Sequence, residues 1–214
     1  MKPTPPIALE DRGEDEGRLF SPSAGRNKVD IASVLSEVLP IGASVLEIAS
    51  GTGEHGVELL SQRPDVKWQF SDPDETSRRS QAAWIKHAGL ELTAPLNLNM
   101  SAPETWAQLA ASYDAIYCAN MIHIAPISAL HGLAALAENY LSGDGVMCLY
   151  GPFLFGDASA PSNLDFDASL KRRNPDWGVR ELAFVKHIFA KHGFNASWMR
   201  DMPSNNSCLG LSKN

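Results

Sequence analysis

Val45-Leu46-Glu47-Ile48-Ala49-Ser50-Gly51-Thr52-Gly53-Glu54-His55-Gly56 decides the reading of this chain. An apolar strand carrying one carboxylate runs into a glycine turn and then opens a helix. Glycine lacks a Cβ and tolerates positive φ, so a ligand can approach bare backbone there. The first free N–H groups of the helix point at whatever docks. The segment contains Gly-x-Gly-x-x-Gly, a dinucleotide fingerprint that is weak by itself. Glu47, upstream of the first glycine, is the discriminating residue. A cationic ammonium is attracted to an acid at that place, whereas a pyrophosphate is repelled. A purely structural strand–helix corner is the plainer alternative.

Glu-x-x-x-Gly-x-Gly resembles motif I of the class I S-adenosylmethionine-dependent methyltransferases. The resemblance implies that Glu47 helps hold the amino-acid end of that cofactor.

A chain of 214 residues, 44% hydrophobic and 20% charged, fits one α/β domain better than two. Its net charge of −7 and pI near 5.3 argue against a broad phosphate-binding surface, so a nucleic-acid substrate is not expected. No apolar run reaches the roughly 20 residues of a membrane span. The proline-rich, acidic start has no apolar signal-peptide core, and a cytoplasmic location is expected. Cys118, Cys148 and Cys208 lie in separate apolar runs without metal-ligand spacing, which reads as buried thiols and no metal site.

Residues 1–19 read as a flexible acidic tail and 20–214 as a single domain. A helix is expected near Asn27–Leu39, with Ile31, Val34, Leu35 and Val38 on one face. Strand-like and helix-like stretches then alternate. Strands are expected at Ser44–Ala49, Lys67–Ser71, Ala94–Asn99, Asp114–Ala119 and Gly145–Tyr150. Helices are expected at Glu54–Ser61, Glu75–His87, near Pro103–Ala110, at Ile127–Leu141 and at Glu181–His192. Alternation of this kind implies a doubly wound, mostly parallel sheet that binds ligands beyond its strands' carboxyl ends. Two last apolar stretches, Asn195–Met202 and Cys208–Ser212, flank a polar turn and predict an antiparallel C-terminal hairpin. The expected fold class is therefore α/β, with seven strands in a Rossmann-like methyltransferase arrangement.

Asp72 follows strand two at the distance from the glycine turn where an acid meets ribose hydroxyls. One carboxylate can accept from two hydroxyls, although Asp72 before Pro73 could instead cap the next helix. The same spacing fits NAD, which Glu47 and the C-terminal hairpin disfavour. Asn97 and Asn99 stand at the end of strand three, where the resembling enzymes read the adenine edge; an asparagine can donate and accept, but it also suits a turn. Asn120 leaves strand four where methyltransferases bring cofactor and substrate together. His123 is either a proton acceptor titrating near neutrality or a satisfied core histidine. Tyr150 ends strand five, so His123 and Tyr150 could both face an acceptor. The irregular stretch from Phe155 to Arg180 reads as a lid or binding loop, with Asn163, Trp177 and Arg180 as substrate contacts; a solvated loop is its alternative.

Ser21-Pro22-Ser23-Ala24-Gly25-Arg26-Asn27-Lys28, Val45–Gly56, Ser71-Asp72-Pro73-Asp74, Cys118–Ile124, Leu149-Tyr150-Gly151-Pro152 and Pro161–Arg180 together resemble a small subfamily of poorly characterised class I methyltransferase-like proteins. The resemblance implies S-adenosyl-L-methionine contacts at Asn27, Glu47, Ala49, Gly51, Gly53, Asp72, Pro73, Asn97, Leu98, Asn120 and Met121. Arg26-Asn27-Lys28, taken as a helix start, is expected to fold over the cleft. The expected activity is methyl transfer to a small-molecule acceptor; a silent cofactor-binding protein serving a partner and an NAD-linked oxidoreductase are the alternatives.

Overall fold

Alternation along each central strand sends side chains to two different helical layers. In a computed structural model describing residues 10–109 and 112–213, Leu46 and Ile48 of the first central strand join one apolar cluster and Val45 the other. Ile116 and Cys118 likewise oppose Ala115 and Tyr117, and Met147 and Leu149 oppose Cys148 and Tyr150. Strands buried on both faces read as near-continuous apolar runs, which is the signature of a parallel sheet under two layers of helices.

In chain order the elements are β1 (Gly13–Asp15), β2 (Arg18–Phe20), α1 (Pro22–Val38), β3 (Ser44–Ile48), α2 (Glu54–Gln62), β4 (Lys67–Gln69) and α3 (Glu75–His87). A 3-10 turn (Pro103–Gln108), β5 (Tyr113–Ala119), α4 (Ile127–Tyr140), β6 (Leu141–Leu154) and α5 (Pro161–Arg173) follow. The chain closes with β7 (Arg180–Glu181), α6 (Leu182–Ala190), β8 (Phe194–Met202) and β9 (Asn206–Lys213). The seven-stranded sheet runs β4-β3-β5-β6-β9-β8, with β7 pairing β6. β4, β3, β5 and β6 are parallel; β9 inserts antiparallel between β6 and β8. The two connections β3→β4 and β4→β5 leave in opposite directions, so the strand order reverses between β3 and β5. That is the crevice where doubly wound sheets bind ligands.

Several boundaries differ from expectation. The third expected strand shrinks to one bridge, Leu96 to Ser71, because Pro95 has no N–H to continue the ladder. The expected helix near Pro103–Ala110 is a 3-10 turn, and Ala110 lies outside the described residues. The first helix starts at Pro22 under a Ser21 cap, not at Asn27.

Residues 1–9 of the expected tail lie outside the described residues, but residues 10–20 do not behave as a tail. β1 and β2 form a hairpin through Glu16 and Gly17, both at positive φ as a two-residue turn requires. The hairpin is fastened to α3: the Leu19 N–H donates to Ser80 Oγ at 2.8 Å, and Trp84 Nε1–H donates to the Leu19 carbonyl at 3.0 Å. Buried Arg18 pairs with Asp15 and lays its guanidinium over the Trp84 ring at 5.1 Å. Among the described residues no helix is long and apolar enough to cross a membrane.

Candidate functional site

The carboxyl ends of β3, β4, β5 and β6 gather the glycine turn, Asp72, Asn120 and Gly151 along one edge of the sheet. Ala49, Gly51 and Gly53 all hold positive φ (54°, 57° and 95°). For Ala49, which carries a Cβ, that conformation costs about 1 kcal/mol, so the surrounding bonds must enforce it. They do. The Ser50 N–H donates to the Ser71 carbonyl at 2.8 Å, and Ser71 Oγ donates to the Glu47 carbonyl at 2.6 Å. From α3, Gln81 Nε2 donates to the Gly51 carbonyl and Ser80 Oγ to the Thr52 carbonyl. Gly56 is required for packing: a Cβ there would stand 2.4 Å from Trp68 Nε1 and 2.5 Å from Phe70. The third glycine of the fingerprint thus serves close helix–strand contact, as in nucleotide-binding folds. No side chain caps α2, whose N-terminal N–H groups follow directly from Gly53.

Asp72 is 7% exposed, and both of its oxygens are engaged: Oδ2 accepts from the Gly51 N–H and Oδ1 from the Asp74 N–H, each at 2.9 Å. The cap of α3 is Asp74, whose side chain accepts from the Ser77 N–H, so the capping alternative for Asp72 is removed. Burial pushes the Asp72 carboxyl up to about 6, against the two N–H bonds that lower it. Pro73, beside it, is exposed at the rim.

Glu47 shares a strand face with Val45 and turns towards the α1–α2 layer. It is 1% exposed and its Oε2 accepts from Trp68 Nε1–H at 3.0 Å. Burial pushes its carboxyl up to about 8, opposed chiefly by the Trp68 bond. Asn27 lies in the second turn of α1 and bridges this layer. Its Oδ1 accepts from His55 Nε2–H at 2.8 Å, and its side chain also bonds the Tyr150 hydroxyl. Burial, then the Lys28 charge, brings His55 down to about 4.

Asn120 leaves β5 at φ +57° and donates its N–H to the Tyr150 carbonyl at 2.8 Å. Gly151 lets the two strand exits touch: a Cβ there would be 3.4 Å from Asn120 Oδ1 and 3.6 Å from the His123 ring. His123 is 2% exposed, meets Phe166 edge-on at 5.5 Å and leaves Nδ1 without a partner among the described residues. Burial and the nearby Arg180 charge bring it down to about 3, so the expectation of titration near neutrality fails. Tyr150 does not join it; period-two alternation sends the ring to the α1 side while His123 packs under α5.

Other expected contacts are occupied with holding the fold. Asn163 Nδ2 donates to the Phe153 and Asn205 carbonyls at 3.1 and 2.9 Å, tying α5 to β6 and the β8–β9 turn. Arg180 donates to the carbonyls of Ile122, Ala125 and Asp176, pinning the loop after β5. Trp177 packs half-buried against the Leu154–Leu170–Val179 cluster. Leu98 and Met121 are core residues, Asn97 has an exposed side chain, and Asn99 accepts from the Ser101 N–H in a local turn. The three cysteines are buried and free; burial pushes their thiols up, that of Cys208 to about 12.

One residue of the site was missed by sequence reasoning. Arg12 crosses the glycine turn, its Nη2 3.8 Å from where a Gly51 Cβ would lie, and its Nη1 donates to Ser77 Oγ at 3.3 Å. Its charge acts on Asp72. The available signal was Glu16-Gly17 as a hairpin turn, which makes the flanking residues strands instead of tail.

The architecture recurs among solved methyltransferases. An O-methyltransferase family protein from Burkholderia thailandensis is 15% identical, with a TM-score of 0.75 over 90% of this chain and 57% of that one. Mitomycin 7-O-methyltransferase (12% identity, TM-score 0.74) matches over 90% of this chain and 55% of its own. Human N-acetylserotonin methyltransferase, solved in complex with S-adenosylmethionine (13% identity, TM-score 0.70), matches over 90% and 53%. The chain thus spans little more than half the length of these structures. It has the Rossmann-like fold of class I methyltransferases. Residues 18–213 match the family described as "Protein of unknown function (DUF938)", and the chain belongs to that family.

Proposed function

We propose that this protein binds S-adenosylmethionine at the β3–β5 crevice and transfers its methyl group to a small-molecule acceptor. The observation that carries the reading is the buried Asp72 carboxylate bonded to the Gly51 N–H, beside the uncapped start of α2 at the strand-order reversal. Each oxygen of Asp72 keeps a second lone pair for a ribose hydroxyl. The bare backbone of Gly51 and Gly53 would receive the amino-acid end, and Asn97 with the Leu98 backbone the adenine edge. Glu47 is the acid available to an ammonium, on which it would give up its proton. When bound, the cofactor supplies an activated methyl sulfonium, so transfer needs alignment and a dry site more than acid–base machinery.

Asn120 and the His123 imidazole flank Gly151 and would bound the acceptor. A buried neutral imidazole with a free Nδ1 can orient a donor but is a weak base at pH 7. This favours an acceptor that arrives already deprotonated, such as a carboxylate. The same burial of His123 and Tyr150 favours the second reading, a cofactor-binding protein without turnover. Calorimetry tests the cofactor: S-adenosylhomocysteine should bind near the micromolar range, about −8 kcal/mol. NADH heat without S-adenosylhomocysteine heat would sink the assignment. Methyl transfer to a metabolite pool then separates turnover from silent binding.

A further inference from the structure

A half-buried guanidinium lies against the glycine turn, and among the described residues it makes no ion pair. Arg12 Nη1 donates to Ser77 Oγ of α3 at 3.3 Å, a bond to a neutral hydroxyl. Its Nη2 stands 3.8 Å from where a Gly51 Cβ would lie. Beyond the turn itself, no other heavy atom of the described residues comes within 4 Å of that point, so the space over Gly51 is bounded by Arg12 and otherwise open. Neighbouring cations are committed elsewhere: Arg18 pairs with Asp15, Lys28 with Glu58, and Arg78 donates to the Asp72 and Pro73 carbonyls. Neighbouring acceptors are engaged too. Both Asp72 oxygens accept from N–H groups, and the Gly51 and Thr52 carbonyls accept from Gln81 and Ser80. A guanidinium has five N–H donors, and a charge partly withdrawn from water costs free energy until an anion meets it.

We propose that Arg12 binds the carboxylate of the cofactor's amino-acid end, so that the cofactor site extends to a residue before the family match, which starts at residue 18. The inference rests on the cofactor reading above. A planar guanidinium meets a carboxylate through two parallel N–H···O bonds, and Ser77 occupies one of the five donors of Arg12. The uncapped first turn of α2, which follows Gly53, offers backbone N–H groups to the same anion. Two buried acids, Asp72 and Glu47, stand near the turn. They suit a carboxylate balanced by its own ammonium better than a doubly charged phosphate. Arg12 is held in place from both sides. Before it, Glu10 Oε1 accepts from Ser21 Oγ and the Ser23 N–H at 2.6 and 2.7 Å; after it, the β1–β2 hairpin is fastened to Ser80 and Trp84.

The test is calorimetry of the full chain with S-adenosylhomocysteine and with its decarboxylated analogue, S-adenosyl-3-thiopropylamine, which keeps the nucleoside and the ammonium. The wild type should bind the analogue about ten- to hundredfold more weakly. Arg12→Gln should weaken S-adenosylhomocysteine by a similar factor and leave the analogue within about twofold, closing the gap between the two ligands. Arg12→Lys should recover part of the loss, because an ammonium meets the carboxylate as a point charge without the fork. Melting temperatures are read alongside, and if Arg12→Gln does not fold, a loss in Arg12→Lys confined to S-adenosylhomocysteine supports the proposal and no loss overturns it. A wild type without a gap, or a folded Arg12→Gln protein that keeps the gap, overturns the proposal while leaving the cofactor reading intact. Equal weakening of both ligands also overturns it, because Arg12 would then serve the turn or the nucleoside. A wild-type protein that binds neither ligand removes the cofactor reading, and this role of Arg12 with it.

Discussion

Stability should fall as pH rises from 6.5 to 8, and Glu47 should be the cause. Its carboxyl has an ordinary value of 4.5 in the unfolded chain and about 8 in the folded one. Between those values the folded state holds a proton that the unfolded state lacks, so raising the pH favours unfolding. The other shifted groups act mainly elsewhere. Asp72, raised from 3.8 to about 6, works in the same direction but is nearly complete by pH 7. His55 and His123, lowered from 6.5 to about 4 and about 3, act with the opposite sign, mainly below 6.5 but up to about pH 7.5, because the unfolded chain is still partly protonated there. The Cys208 thiol, raised from 9.0 to about 12, enters near pH 9. One proton is worth about 1.4 kcal/mol per pH unit; Glu47, half titrated at pH 8, costs about 1.6 kcal/mol across the window and the two histidines return about 0.8 kcal/mol, for a net loss of about 1 kcal/mol. For a domain of this size that is a drop of roughly 2–4 °C in Tm. Urea unfolding across the window measures it directly. Glu47→Gln keeps an oxygen for the Trp68 N–H and removes the titration, so its stability should no longer fall between pH 6.5 and 8 but rise slightly as the unfolded histidines lose their protons. A wild-type protein whose stability holds or rises there, or a variant with the wild-type slope, would refute the reasoning that Glu47 is buried as an acid.

Three further outcomes follow from the site. Asp72→Ala should weaken S-adenosylhomocysteine by about 1–3 kcal/mol, read by calorimetry, since both hydroxyls would lose a charged acceptor; an unchanged Kd in a folded protein would leave Asp72 only its bonds to Gly51 and Asp74. His123→Ala should lower Tm and leave cofactor affinity nearly constant, and activity should track the folded fraction; a 10²- to 10⁴-fold loss of turnover in a stable variant would restore a general base. Arg180→Met removes donors from three carbonyls, at Ile122, Ala125 and Asp176. It should cost about 2–3 kcal/mol in urea unfolding and speed amide exchange at Gly178, which donates to the His123 carbonyl. Unaltered unfolding would show that Arg180 is free to serve a ligand.

What could be read in the sequence was local, and what could not depended on where distant carbonyls lie. The apolar runs of β3, β5 and β6 declare a parallel sheet because each must be covered on both faces. Asp72 declares itself by its distance from the glycine turn, and its bond to the Gly51 N–H is the reason for that distance. Asn163 and Arg180 look like ligand-binding residues for the same chemical reason that they bond backbone carbonyls here: a side chain with several donors can serve either use, and composition does not distinguish the two. Tyr150 is a different kind of error. Parity along β6 already separates it from Leu149 and places it with Cys148 on the α1 face, so the period of two sufficed to withdraw it from the acceptor side. The acidic segment before Ser21 misleads because, beyond its own short hairpin, it is anchored by long-range partners, Ser80, Trp84 and Ser77, none of which alters local propensity. The first helix, expected to fold over the cleft, is held in the interior, and it is the stretch read as tail that passes over the glycine turn. The helix is fixed by Asn27, which binds His55 and Tyr150 in the interior, whereas residues 10–20 are fastened to α3 by Ser80, Trp84 and Ser77 and by the Arg18 and Phe20 stack on Trp84. Those contacts, not local propensity, carry Arg12 to its place against Gly51.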